Sequence, residues 1–317
     1  MKLVTDRTDA AGKDGMRMEF PRYRAKREIV VRKLITCYYF ELAKTYDFAG
    51  EKHDFWELLY LDKGELIVET DYGQHLLRQG DLLFFEPNVF HSARSNGTIA
   101  PNMFIVTFEC RSPKMNYFRQ HRLLQPGERE KGWLALLMEE GEHAFGPDLS
   151  GQPTGRLVGK KGAPFGSEQL FVHFLETLLI LLIRNGTMPP YPIEETPVVS
   201  KDKREAGLAG EIINYLEQHI GRELTVEHIC KMFTIGKTRL SILIKRKTGR
   251  GVMEHVNYLK IEKAKTYIRE NNYNFTEIAE LLGYGSVHYF SKRFKKETGS
   301  SPTEYAQILK TRSYKRK

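Results

Sequence analysis

The phrase IKRKTG at Ile244 to Gly249 returns about 50 residues later as FKKETG at Phe294 to Gly299. A repeat at this spacing commits the last third of the chain to two copies of one supersecondary unit. The second copy is the clearer. FTEIAELLG (275–283) reads as a short helix capped by Thr276, with Ile278, Ala279, Leu281 and Leu282 on its buried face and Gly283 ending it where positive φ costs least. Tyr284-Gly285 forms the turn and Ser286 caps the next helix, SVHYFSKRFKKETG. That helix is expected to bury Tyr289, Phe290 and Phe294 and to present His288, Ser291, Lys292, Lys295 and Lys296. Two helices joined by a tight glycine turn make a helix-turn-helix. The first copy pairs LTVEHICKMF (224–233), capped by Thr225, with GKTRLSILIKRKT (236–248), ending at Gly249. A helix over Val252 to Arg269 separates the two units.

Charge divides along the same line. From Leu208 to Lys317 there are 21 Lys and Arg against 11 Asp and Glu; the preceding residues carry 28 against 29. The whole positive excess lies in the repeat-bearing third, which points to a polyanionic partner for that part alone. Cys37, Cys110 and Cys230 are far apart and lack CxxC spacing, which argues against a disulfide framework or structural zinc site and fits a reducing cytoplasm. The charged N-terminus has no signal-peptide core, and the most apolar run, Leu178 to Ile183, is too short to span a bilayer.

The N-terminal part reads differently. IVVRKLITCYYFEL, FWELLYL, ELIVETD, HLLRQGDLLFFEP and MFIVTFEC are short β-branched or aromatic segments, with turns at Asp62-Lys63-Gly64 and Asp71-Tyr72-Gly73. Such strands without intervening helices predict a β-barrel or sandwich. Helical spacing follows over Arg129 to Phe145, then a glycine- and proline-bearing loop over 146–166. SEQLFVHFLETLLILLIR (167–184) reads as a helix opened by a capping box at Ser167; its apolar circumference requires cover on most sides, by a partner helix or a second subunit.

LGYGSVHYFSKRFKKETGSSPTEY resembles the second helix-turn-helix of the AraC/XylS family of bacterial transcription regulators, including the Ser301-Pro302 turn, and the resemblance extends over about 208–309. The first unit departs from the family pattern at Cys230, Thr234 and Gly236, where Ala, Gly and Ser are usual. The resemblance implies base contacts from Thr238, Ser241 and Ile242 on the first recognition helix and from Val287, His288, Ser291 and Lys292 on the second. Lys237 and Arg239 join the expected DNA contacts, and Lys245, Arg246, Lys295 and Lys296 are assigned to phosphates, since long cations at a helix edge position a protein without reading sequence. The two recognition helices are expected to read major-groove segments about 10 bp apart.

The segment His53-Asp54-Phe55-Trp56-Glu57, with Gly80-Asp81, Pro87 and His91, resembles a cupin barrel, which AraC-type regulators often carry as a sensor. Metal-binding cupins supply two histidines and a glutamate from the first motif; here Phe55 takes one histidine position, and His91 matches the second motif's ligand. By period-2 alternation 53, 55, 57 and 59 share one strand face. His53, Phe55, Glu57 and His91 are taken as effector contacts, for a sugar or small acid. A bound Fe(II), Mn(II) or Zn(II) ion and a purely structural network are the alternatives.

The chain therefore reads as α+β: a flexible arm over 1–28, a cupin-like β-barrel sensor with dimerisation helices over 29–186, a linker over 187–207, an all-α double helix-turn-helix domain over 208–312 and a basic tail over 313–317. The expected function is a cytoplasmic, effector-controlled, sequence-specific DNA-binding regulator, without catalytic residues or cofactor. Its expected partners are double-stranded DNA, a small-molecule effector and a second copy of the chain, with RNA polymerase as a candidate and no membrane. Two rival readings are a metal-dependent cupin enzyme or metal sensor fused to a DNA-binding domain, and an effector-free constitutive DNA binder.

Overall fold

A computed structural model of the chain describes residues 22–145, 157–187, 197–222 and 224–313. The strands are β1 (Val31–Glu41), β2 (Asp47–Glu51), β3 (Trp56–Lys63), β4 (Glu65–Thr70), β5 (Gly73–Arg78), β6 (Leu82–Phe85), β7 (His91–Ser95), β8 (Asn102–Cys110) and β9 (Leu123–Leu124). They form two antiparallel sheets, ordered β1-β8-β3-β6-β9 and β2-β7-β4-β5. The turn from β3 to β4 needs Gly64, at φ 79°, because a Cβ there would meet the Ala100 carbonyl at 2.9 Å.

Period-2 alternation gives the first sheet two apolar faces. One face sends Leu59, Leu61, Leu83 and Phe85 against Leu66, Val68, Leu77 and Ala93 of the second sheet. The other sends Leu58, Leu82, Phe84, Val106 and Phe108 against two helices, α2 (Glu128–Ala144) and α3 (Ser167–Thr187). Each fully buried leucine in such a core contributes about 1.5–3 kcal/mol. A short helix, α1 (Asn116–Gln120), adds Phe118, which stacks on Phe84 at 4.1 Å.

The sheet and α2 explain the apolar circumference of α3. Phe171, Leu175, Leu178, Leu179 and Leu182 are buried against them. Within this face the buried Glu176 accepts from Arg27 at 3.0 Å and from the Val31 backbone N–H at 2.9 Å, which fixes where β1 begins. By length and composition the whole of α3 could cross a bilayer, which the run 178–183 alone could not, but its buried face packs on the sheet and α2.

The helical domain comprises α4 (Pro197–Gln218), α5 (Val226–Phe233), α6 (Lys237–Thr248), α7 (Val252–Glu270), α8 (Phe275–Leu281), α9 (Val287–Thr298) and α10 (Pro302–Ser313). Ile212, Leu216, Ile229, Leu240, Ile244, Ala264, Ile278, Phe290 and Phe294 share its core. The two domains meet through polar groups. Glu41, at the end of β1, is paired with Lys265 of α7 and accepts from the Tyr305 hydroxyl of α10 at 2.7 Å. Arg269 of α7 donates to Asn102 of β8, and Lys44 donates to Asn272 at 2.8 Å.

Several expectations need correction. The run 75–87 is two strands, parted by a turn in which Asp81 accepts from the Arg78 backbone N–H at 2.8 Å. β2 and β7 were not anticipated. No capping box opens α3: Ser167 is inside the helix, its Oγ buried without a partner, and Leu170 stands three residues on. Asn274, not Thr276, caps α8. Leu281 and Tyr289, expected in the core, are 43% and 54% exposed. Of the expected loop, arm, linker and tail, residues 146–156, 1–21, 188–196 and 314–317 lie outside the described residues, and the chain is helical from Pro197.

Candidate functional site

Local capping builds both helix-turn-helix units. In the second, Asn274 Oδ1 accepts from the N–H groups of Thr276 and Glu277 at 3.0 Å, and Glu277 Oε2 accepts from the Asn274 N–H at 2.7 Å, which closes a capping box. Gly283 turns the chain at φ 65°, and Ser286 Oγ accepts from the Tyr289 N–H at 3.1 Å to start α9. In the first, Thr225 caps α5 by accepting from His228 N–H at 3.1 Å, but α6 starts at Gly236 without a side-chain cap. Thr234, where the family has glycine, sits in the left-handed region at φ 53°. This backbone is costly for a β-branched residue.

α6 and α9 bury one face and present the other. Lys237, Thr238, Arg239, Ser241, Lys245 and Arg246 are exposed on α6, with Ile242 at 60% exposure. On α9, His288, Lys292, Lys295 and Lys296 are exposed and Ser291 is half-buried. Val287 is half-buried too and packs against the core. Three of the cations have carboxylate partners: Lys237 with Glu227 at 2.5 Å, Arg246 with Glu205 at 3.6 Å and Lys295 with Glu304 at 3.8 Å. These surface pairs are weak and exchangeable.

In the β domain, His53, Phe55, Glu57 and His91 come together as expected, but by a different route. β3 begins at Trp56, so His53 and Phe55 belong to the preceding loop and strand alternation does not place them. Instead the His53 ring stacks on Phe55 at 4.0 Å and 8°, which returns its Nε2 to within 3.2 Å of Glu57 Oε2. His91 opens β7, stacks on Phe85 at 4.1 Å and brings Nε2 to 3.7 Å from Glu57 Oε2. Glu57 and His91 are each only 4% exposed. Burial alone would raise the Glu57 carboxyl, but His53 and His91 outweigh it and hold it below the ordinary carboxylate value. Burial would likewise lower the His91 imidazole, but the facing Glu57 outweighs it and raises the group.

A fourth group, Glu51, escaped the sequence reading. It ends β2 opposite His91, and its Oε1 lies 3.9 Å from His91 Nε2. A register shift between Phe48 and Glu51 turns its side chain to the cluster, as β-bulges do. The bulge depends on Gly50, at φ 106°, since a Cβ there would run into the Phe90 ring and the His91 carbonyl. The one available signal was Gly-Glu in a strand-length polar segment.

Comparison with known proteins agrees with both halves. The family described as "Helix-turn-helix domain" matches residues 229–308, and the "AraC-like ligand binding domain" matches residues 34–127. The "Uncharacterized HTH-type transcriptional regulator YfiF" of Bacillus subtilis (strain 168) is 24% identical over 284 residues, which cover 86% of this chain and 83% of the relative. The "Arabinose operon regulatory protein" of Salmonella typhimurium is 23% identical over 256 residues, 77% of this chain and 80% of that one. The solved structure of ToxT from Vibrio cholerae shares 14% identity over 86% of this chain and 97% of its own, at a TM-score of 0.32. A domain matching the AraC-like ligand-binding family thus stands ahead of a domain matching the helix-turn-helix family, which is the build of an AraC-type transcriptional regulator.

Proposed function

We propose that this regulator is controlled by a small effector held at the mouth of the sensor domain by His53, Phe55, Glu57 and His91, and that the domain contact at Glu41 carries the signal. The supporting observation is the buried Glu57 facing two imidazoles, a polar cluster at the edge of an otherwise apolar sandwich. Buried polar groups cost stability unless satisfied, and a ligand can satisfy them. Glu57 pairs with Thr107 of β8, and the same strand carries Asn102 to Arg269 of α7, the helix joining the two DNA-reading units. An effector that binds the docked and undocked arrangements unequally shifts their populations and hence DNA affinity.

On this reading α6 and α9 enter successive major-groove segments. Thr238, Ser241, Ile242, Val287, His288, Ser291 and Lys292 face bases, while Lys237, Arg239, Lys245, Arg246, Lys295 and Lys296 take phosphates. The exposed Ile242 suits a thymine methyl group. The half-exposed Leu136 of α2 and Leu170 of α3 belong to the surface that pairs two copies. The chain acts as a cytoplasmic regulator and not as an enzyme, with RNA polymerase as a further partner. Isothermal titration of candidate effectors with and without operator DNA tests the coupling. The expected result is a change in effector affinity matched by an equal change in DNA affinity. Equal affinities in the two titrations would contradict it.

A further inference from the structure

The two helix-turn-helix units leave a cleft between them, with a volume of about 600 Å³. Its floor is α7, which sends Met253, Asn257 and Lys260 into it from one helix face. One wall is the start of α5, at Thr225 and Glu227, and the other is the turn at Gly283. Both walls lead to the reading ends of the recognition helices. Glu227 pairs with Lys237, the first residue of α6. Gly283 closely precedes Ser286, which caps α9. Recognition helices meet base edges with their N-terminal residues. The cleft therefore opens between the two points at which the chain enters the major groove.

Lys260 is set into this cleft without a counter-ion. Among the described residues that line it, Lys260 is the one cation and Glu227 the one carboxylate, and Glu227 is already engaged by Lys237. Burial holds the Lys260 ammonium below its ordinary value, with no carboxylate near enough to reverse the effect. Its Nζ faces the Tyr284 ring at 5.3 Å, a contact that holds the ammonium in place without neutralising it. A Cβ on Gly283 would stand 3.5 Å from the same Nζ, so glycine in the turn leaves the ammonium open to the cleft. Asn257 adds an amide donor beside it. A half-buried ammonium and an amide in one cleft suit an oxyanion.

We infer that Lys260 and Asn257 seat one backbone phosphate of the DNA, in the stretch between the two major-groove segments. The inference rests on the reading of α6 and α9 as helices that enter successive segments. Grooves alternate along one side of a duplex, so a minor groove rimmed by two phosphate backbones lies between segments one turn apart. A chain that carries both helices on one unit passes over that rim, and the cleft is the surface it brings there. The phosphate supplies the counter-charge that Lys260 lacks. Such a contact reads no base; it fixes register. Because α7 joins both units, a phosphate seated on it fixes the two readings at once.

The test uses the full-length chain and a duplex selected from a random pool, with guanine N7 methylation interference marking the major-groove segments. Single neutral methylphosphonate linkages are placed along both strands of the spacer, and affinity is read by fluorescence anisotropy. At least one spacer linkage is expected to weaken wild-type binding about fivefold or more, and the same linkage to have no effect on Lys260→Gln. Lys260→Gln is expected to lose the same factor on selected and scrambled duplexes and to lower the logarithmic salt slope by about one, while Lys260→Arg keeps the wild-type sensitivity. Circular dichroism checks that both variants are folded; where Lys260→Gln is not, the scans of the wild-type chain and Lys260→Arg decide. No sensitive spacer linkage in the wild-type chain, or equal sensitivity in Lys260→Gln, overturns the phosphate seat and leaves the major-groove reading standing. A loss confined to the selected duplex overturns it too, since Lys260 would then read a base. Interference confined to one segment overturns the major-groove reading, and the seat with it.

Discussion

Thr234 shows what single residues decide here. It occupies the helix-terminating position of the first unit at φ 53°, where the second unit has Gly283 at φ 65°. The first unit holds a strained residue where the second holds a free one, and α6 lacks the side-chain cap that Ser286 gives α9. Thr234→Gly is expected to stabilise the helical domain by about 1 kcal/mol, since a β-branched residue loses about that much in the left-handed region. Chemical denaturation followed by far-ultraviolet circular dichroism measures it, and a loss of stability would mean that Thr234 has contacts worth more than its strain. At the same scale, Glu51 was illegible in the sequence because its place depends on a bulge and on pairing with His91, 40 positions away. Tyr289 was misread because aromatic character suggested burial, whereas α9 turns it outward beside His288.

The legibility of elements follows how local their causes are. The helices of the repeat were readable almost to the residue, because caps, glycine stops and apolar spacing all lie within one or two turns. Thr225, Ser286, Gly249 and Gly299 stand at the expected ends. Strands β2 (DFAGE) and β7 (HSARS) were not readable, since neither has β-branched residues and both are strands only through their partners. The capping box of α8 was missed because Thr276 also has an oxygen, and only the structure shows that Asn274 precedes the helix. Asn274→Ala is expected to cost about 1 kcal/mol, with a larger loss of hydrogen-exchange protection in α8 than in α5. Equal loss in both helices would show that the cap serves the whole domain.

For the whole molecule, the decisive contact joins sheet to helix. Burial would raise the Glu41 carboxyl, but Lys265 and Arg269 outweigh it and hold it below its ordinary value of 4.5. A carboxyl whose pKa is lowered by docking contributes its stabilisation fully above that ordinary value and loses it as pH falls through the docked value. Small-angle scattering is therefore expected to show the domains parting as pH falls below about 4.5, and Glu41→Gln parting at neutral pH. An unchanged radius in Glu41→Gln would remove this contact from the signalling path. The division into a β sensor and a basic helical domain was legible from charge and periodicity; the contact between them was not, because it joins residues more than 200 positions apart.

The most direct test of the account is DNA binding itself. Fluorescence anisotropy of the full-length chain, with a duplex it has selected from a random pool, is to be followed from about 50 to about 200 mM salt. Affinity is expected to fall by about 10³- to 10⁵-fold, and Lys295→Ala is expected to lower the logarithmic salt slope by about one. A flat salt response, or failure to enrich any sequence, would contradict the assignment of α6 and α9 to the major groove.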